Sequence, residues 1–238
     1  MVTRLQLGEI SVEVVQKDIK NVHLSVYPPN GRVKISAPLH MSADTIRVFA
    51  VSRIGWIKQQ QAKLRGQQRE APREYLDRES HYVWGKRYLL KLIESDSPPA
   101  IVLKPRWMLM TVRPGTGNAK KRAILEDWYR EQIKQAVPLL LTKWEPALGV
   151  AVKRFFVQRM KTKWGSCSPE SHGIRLNTEL ARKSPECLEY IVVHEMVHLI
   201  VRRHNDRFVN LLGACLPNWK QLRQMLNGAP LSHADWTY

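Results

Sequence analysis

With 238 residues, 44% of them apolar, the chain can bury a core in one domain or two. Its longest apolar runs, such as 191–201, are too short and too interrupted by charge to cross a bilayer, so no membrane partner is expected. The balance of 38 Lys and Arg against 21 Asp and Glu gives a net charge of +17 that runs through both halves, which excludes a basic tail and favours polyanionic partners.

In chain order, the N-terminus carries Arg4, Glu9 and Glu13 and no apolar core of signal-peptide length. Secretion is therefore not expected, and a cytoplasmic location is the default. Val22, Leu24 and Val26 alternate with polar neighbours, and Pro28-Pro29-Asn30-Gly31 turns the chain into Val33, Ile35 and Ala37, which predicts a hairpin. A helix starts at Ser42 or Asp44 and runs through Ile46, Phe49, Ile54 and Ile57 to Leu64. Residues 66–80 are polar and charged and read as a linker or exposed arm. Strands follow at 82–84, 88–93, 101–103 and 108–112. The segment Arg113-Pro-Gly-Thr-Gly-Asn118 marks the clearest boundary, and a long helix begins near Ala119 and passes Trp128, Ile133 and Leu141. No internal repeat is visible.

The most informative stretch is His194-Glu-Met-Val-His-Leu-Ile-Val-Arg-Arg-His204. It follows an apolar run from Pro185 through Leu188, Tyr190 and Val192, which puts it inside a largely buried helix. His194 and His198, four residues apart, then project from one face within reach of one metal ion, and Glu195 beside them can take a proton from a water at that metal. Buried histidines and a buried carboxylate are unfavourable by several kcal/mol unless something satisfies them, and a cation does so. His204 is the leading third ligand. On an unbroken helix it would stand about 80° from His194 and about 120° from His198, too far round to converge. The helix must therefore end near Val201–Arg203, with Asn205 capping a new helix through Phe208 and Leu212. The spacing is that of HExxHxxGxxH proteases, but Val201 occupies the glycine position, so the turn is built differently. Glu179 and Glu186 are the nearest alternatives if His204 is only a loop histidine.

A second segment, Arg159-Met-Lys-Thr-Lys-Trp-Gly-Ser-Cys-Ser168, joins this one in a recognisable pair. Together with the strand around Ile174–Leu176 and Phe208 after His204, the two resemble the YgjP-like family of metal-dependent hydrolases, relatives of the SprT-like and small gluzincin peptidases. The resemblance spans at least residues 22–227. It implies one Zn2+ per chain held by His194, His198 and His204, with Glu195 as general base and a zincin-like catalytic half. Members are usually classed as metallopeptidases, while some are described as nucleotide pyrophosphatases acting on UTP.

The run 157–164 alternates enough to be a strand offering its edge to an extended substrate, and Gly165 allows a bend or a close backbone approach. Arg159, Lys161 and Lys163 would share one face of it and could hold a carboxylate or a phosphate. Trp164 and Gly165 complete this candidate substrate segment, although Trp164 reads foremost as a packing residue. Cys167, Cys187 and Cys215 are dispersed, form no CxxC pair and fit thiols of a reducing cytoplasm.

The sequence thus predicts an α+β fold. A β-rich region with one helix, 1–117, precedes a catalytic region, 118–238, in which the HExxH helix packs on a small mixed sheet. The expected activity is zinc-dependent hydrolysis of a peptide or protein. The alternatives are a nucleotide pyrophosphatase that uses the basic segment as a phosphate clamp, and a DNA-associated protein with structural zinc. Nucleic acid is a candidate partner on charge alone.

Overall fold

Val33, Ile35 and Ala37, the cleanest alternating positions of the sequence, are fully buried on one face of a sheet. The computed structural model of the chain describes residues 2–27, 30–66, 74–160 and 163–228. The chain forms two compact units that divide between residues 71 and 72.

The first unit holds β1 (Val2–Leu7), β2 (Ile10–Lys17), β3 (His23–Tyr27) and β4 (Arg32–Pro38) in the order β1-β2-β4-β3. The central pair, β2 and β4, is parallel, and the outer pairs are antiparallel. The predicted hairpin is β3–β4. Its partner hairpin, β1–β2, was not predicted; it turns at Gly8, whose φ of 60° suits a residue without Cβ. Helices α1 (Ala43–Ser52) and α2 (Ile54–Gly66) cover the sheet. Ser42 caps α1, its Oγ accepting from the Thr45 N–H at 3.2 Å. The single helix expected from here to Leu64 breaks at Arg53, whose N–H closes onto the Ala50 and Val51 carbonyls. The break lets Ile46 and Ala50 on α1 and Ile57 on α2 enter one core.

The second unit begins with β5 (Ser80–Val83), β6 (Lys86–Glu94), β7 (Ala100–Leu103) and β8 (Trp107–Val112), ordered β5-β6-β8-β7 with β6 and β8 parallel. This is the topology of the first sheet again, a repeat that the residues themselves do not display. Of the expected arm 66–80, residues 67–73 lie outside the described residues. The rest is anchored: Tyr75 is buried, and the Glu79 carboxylate accepts from its N–H at 2.6 Å. Helix α3 (Asn118–Leu148) buries Leu125, Tyr129, Ile133, Val137, Leu141 and Trp144, a stripe at three- and four-residue spacing. The boundary expected at 117–118 thus falls inside this unit, between β8 and α3.

A third sheet of β9 (Arg154–Gln158), β10 (Gly165–Ser168) and β11 (Gly173–Asn177) has the order β10-β11-β9, with β10 antiparallel and β9 parallel to the central β11. Helices α4 (Pro185–Ile200), α5 (Asp206–Cys215) and α6 (Trp219–Gly228) complete the unit. Helix α4 carries the HExxH residues and packs on β10 and β11 and against α3, α5 and α6. The α+β class and the helix on a small mixed sheet are as expected. The strand expected through 157–164 is not one strand: β9 stops at Gln158, and β10 starts only at Gly165.

Asn177, at the end of β11, holds Met160 and Lys163 between the two strands. Its Nδ2 donates to the carbonyls of Met160 and Lys163, both at 2.8 Å, and its Oδ1 accepts from the Glu179 N–H at 3.2 Å. Asn177→Ala strips both carbonyls of their donor in a buried setting, a loss of about 1–3 kcal/mol. A urea melt should show a lowered midpoint with an unchanged slope; an unchanged midpoint would remove Asn177 from this role.

Candidate metal centre

His194 and His198 lie four residues apart on α4, and their rings stack edge to face with centroids 5.0 Å apart. The helix ends at Ile200 because Val201 leaves the helical region, with φ −130° and ψ 109°. A β-branched residue is comfortable in that extended conformation, so no glycine is needed for the turn. Val201 closes the helix by donating its N–H to the Val197 carbonyl, and its own carbonyl accepts from His198 Nδ1 at 3.1 Å. That bond fixes the His198 tautomer and leaves its Nε2 lone pair facing inward. Asn205 then starts α5, its side chain accepting from the Phe208 N–H at 3.1 Å.

The turn brings His204 back to the helix. Its Nε2 stands 3.1 Å from Nε2 of His198 and 3.1 Å from Nε2 of His194, and the three ligand atoms all lie within 4.8 Å of one another. Tetrahedral zinc with bonds of about 2.0–2.1 Å separates its ligand nitrogens by about 3.3 Å, so two of the three spacings already suit such an ion. Burial, with the neighbouring imidazoles and Arg223 on α6, pushes His194 down to about 3, and burial lowers His198 also. Neutral imidazoles with converging lone pairs are a metal donor set. Phe208 packs against all three rings at 4.6–5.0 Å, a role that sequence reasoning did not assign to it. Of the alternative ligands, Glu179 is occupied with Arg182 at 3.6 Å, and Glu186 lies in the first turn of α4.

Glu195 is only 5% exposed. Burial pushes its carboxyl up to about 7, opposed by the positive charge of Lys163. It fits because β10 has no side chain where it passes: a Cβ on Gly165 would stand 2.7 Å from Glu195 Oε1 and 2.9 Å from Ile191 Cγ2. The close backbone approach expected at Gly165 is therefore to the carboxylate itself. Cys167, two residues on, has its thiol raised to about 11 by burial and by Glu195, so it is no thiolate nucleophile at neutral pH.

The candidate substrate segment is only partly assembled. Arg159 follows the end of β9 and is tied to Glu126 of α3 at 2.8 Å. Lys161 lies outside the described residues. Trp164 is half-buried against the core, with the Lys183 ammonium 5.8 Å from its ring.

A helix offering two histidines and an intervening glutamate, closed by a third histidine from a returning chain, defines the class of metal-dependent hydrolases. The model of the YgjP-like metallopeptidase domain matches residues 20–229, and the chain belongs to that family. It is thereby a metal-dependent peptidase by family. Among solved structures, the metallopeptidase zymogen of Pyrococcus abyssi, abylysin, is 21% identical with a TM-score of 0.36, over 38% of this chain and 90% of that one. The metallopeptidase zymogen of Methanocaldococcus jannaschii, jannalysin, is 22% identical with a TM-score of 0.34, over 40% of this chain and 92% of that one. No curated protein matches the chain. Among the described residues, no helix is long and apolar enough to cross a membrane.

Gly165→Ala forces the new methyl against the carboxylate and Ile191. Overpacking of this kind costs about 1–3 kcal/mol. The expected outcome is a lower melting temperature together with loss of activity beyond what the residual folded fraction explains. A variant with wild-type melting and turnover would show that β10 is not seated on Glu195.

Proposed function

We propose that the protein is a zinc-dependent peptidase in which His194, His198 and His204 hold one zinc ion and Glu195 is the general base. The observation that carries this reading is the convergence of three imidazole nitrogens beside a buried carboxylate. Zinc with three protein ligands supplies Lewis acidity at an open fourth position. The remaining work falls to the chain. Glu195 takes a proton from the attacking water and hands it to the departing amine. A carboxyl raised to about 7 is basic enough for the first transfer and, once protonated, acidic enough for the second.

β10 is an edge strand, so one row of its backbone groups has no partner strand within the sheet. An extended peptide pairing with that edge would run past Glu195, because Gly165 sits directly against the carboxylate. This arrangement favours a peptide over a compact substrate.

Glu195→Gln keeps the shape and removes the base. The variant should bind zinc as the wild type does, by metal analysis after dialysis, while kcat falls by about 10²–10⁴. Retained turnover would remove Glu195 from the role. The base is needed ionised, so the wild-type rate should fall as pH drops, with a midpoint at or below about 7, because a bound cation favours the carboxylate. A rate that rises into acid would contradict the assignment.

A further inference from the structure

The sheet that presents Gly165 to the catalytic helix has a second face, and its composition is unusual. Strand alternation turns Val157, Ile174 and Leu176 into the core and Arg154, Phe156 and Arg175 outward. Phe156 is 45% exposed on this solvent face. Arg175 is its register partner on β11, and Arg154 lies two residues before it on the same face of β9. Both guanidinium groups sit over its ring, 5.9 Å from the centroid for Arg154 and 5.8 Å for Arg175. Two positive charges therefore gather around one exposed aromatic ring. Neither guanidinium has an ion pair or hydrogen bond among the described residues. For stability alone this is a poor design, since it exposes apolar surface and sets like charges side by side.

We propose that this face binds single-stranded nucleic acid. A flat aromatic ring on a sheet surface stacks a base without regard to its identity, and flanking guanidiniums both stack and neutralise phosphates. The chain's net charge of +17 supplies the long-range attraction that such a partner needs. Single strands fit better than duplex, because a ring standing on a sheet face reaches unpaired bases and not stacked pairs. The face lies on the opposite side of the sheet from Glu195, so a bound strand leaves the catalytic side clear. This inference does not rest on the peptidase reading.

The test is fluorescence anisotropy of the full-length chain with a labelled oligothymidylate of about 20 nucleotides, titrated between about 50 and 200 mM salt. Wild type should bind, and Phe156→Leu should weaken binding about tenfold with little change in salt dependence. Replacing Arg154 and Arg175 together by Gln should flatten the log–log salt slope by roughly 1.4, at about 0.7 per phosphate contact. All three positions are exposed, so the variants should melt with the wild type, which a thermal scan checks. The proposal is overturned if the wild type does not bind, if the variants bind equally well, or if duplex DNA or polyglutamate binds as tightly as the single strand. Because no readout involves hydrolysis, a failure here is distinguishable from a failure of the peptidase reading.

Discussion

The close approach of Gly165 to Glu195 is the constraint on which the histidine-bearing unit depends. A carboxylate buried in a helix is expensive unless its surroundings compensate, and here the helix can approach β10 only because one residue lacks a side chain. That approach sets the depth at which α4 seats on the sheet, and α4 in turn carries two of the three converging histidines. Burial at this seam lifts the Glu195 carboxyl towards neutrality.

Around that contact the chain builds its support from helix caps, side-chain clasps and one aromatic ring. Val201 ends the helix and orients His198 through its carbonyl, and Asn205 restarts the chain so that His204 can return. Asn177 binds the carbonyls of Met160 and Lys163, and the second bond helps place Lys163 near Glu195. Phe208 braces all three imidazole rings from α5. These residues hold the centre in one geometry, which a donor set must have before an ion arrives.

Much of this was legible in the sequence, for identifiable reasons. The four-residue histidine spacing, the apolar run before it and the Asn205 cap are local signals, and they yielded the helix, its end and the return of His204. The β3–β4 hairpin and the β5–β8 strands were legible because alternation and turn residues are local as well. What escaped depends on partners distant in sequence. The segment at 157–164 alternates like a strand, yet Asn177 captures its carbonyls and breaks it in two. Arg159 looked available for a substrate until α3 brought Glu126 alongside. The β1–β2 hairpin is the exception: its pairing is local, and Ile10, Val12 and Val14 alternate as a strand does. The shared order of the first two sheets is a property of topology, and the residues leave no sign of it.

The measurement that tests the central claim most directly is peptide cleavage by the full-length chain before chelation, after chelation and after zinc is restored, read on a fluorogenic peptide library alongside metal content. The account predicts one zinc per chain, cleavage lost with the metal and regained on its return. Cleavage that survives complete removal of metal would contradict it, as would a zinc-loaded protein that releases pyrophosphate from UTP and leaves every peptide intact.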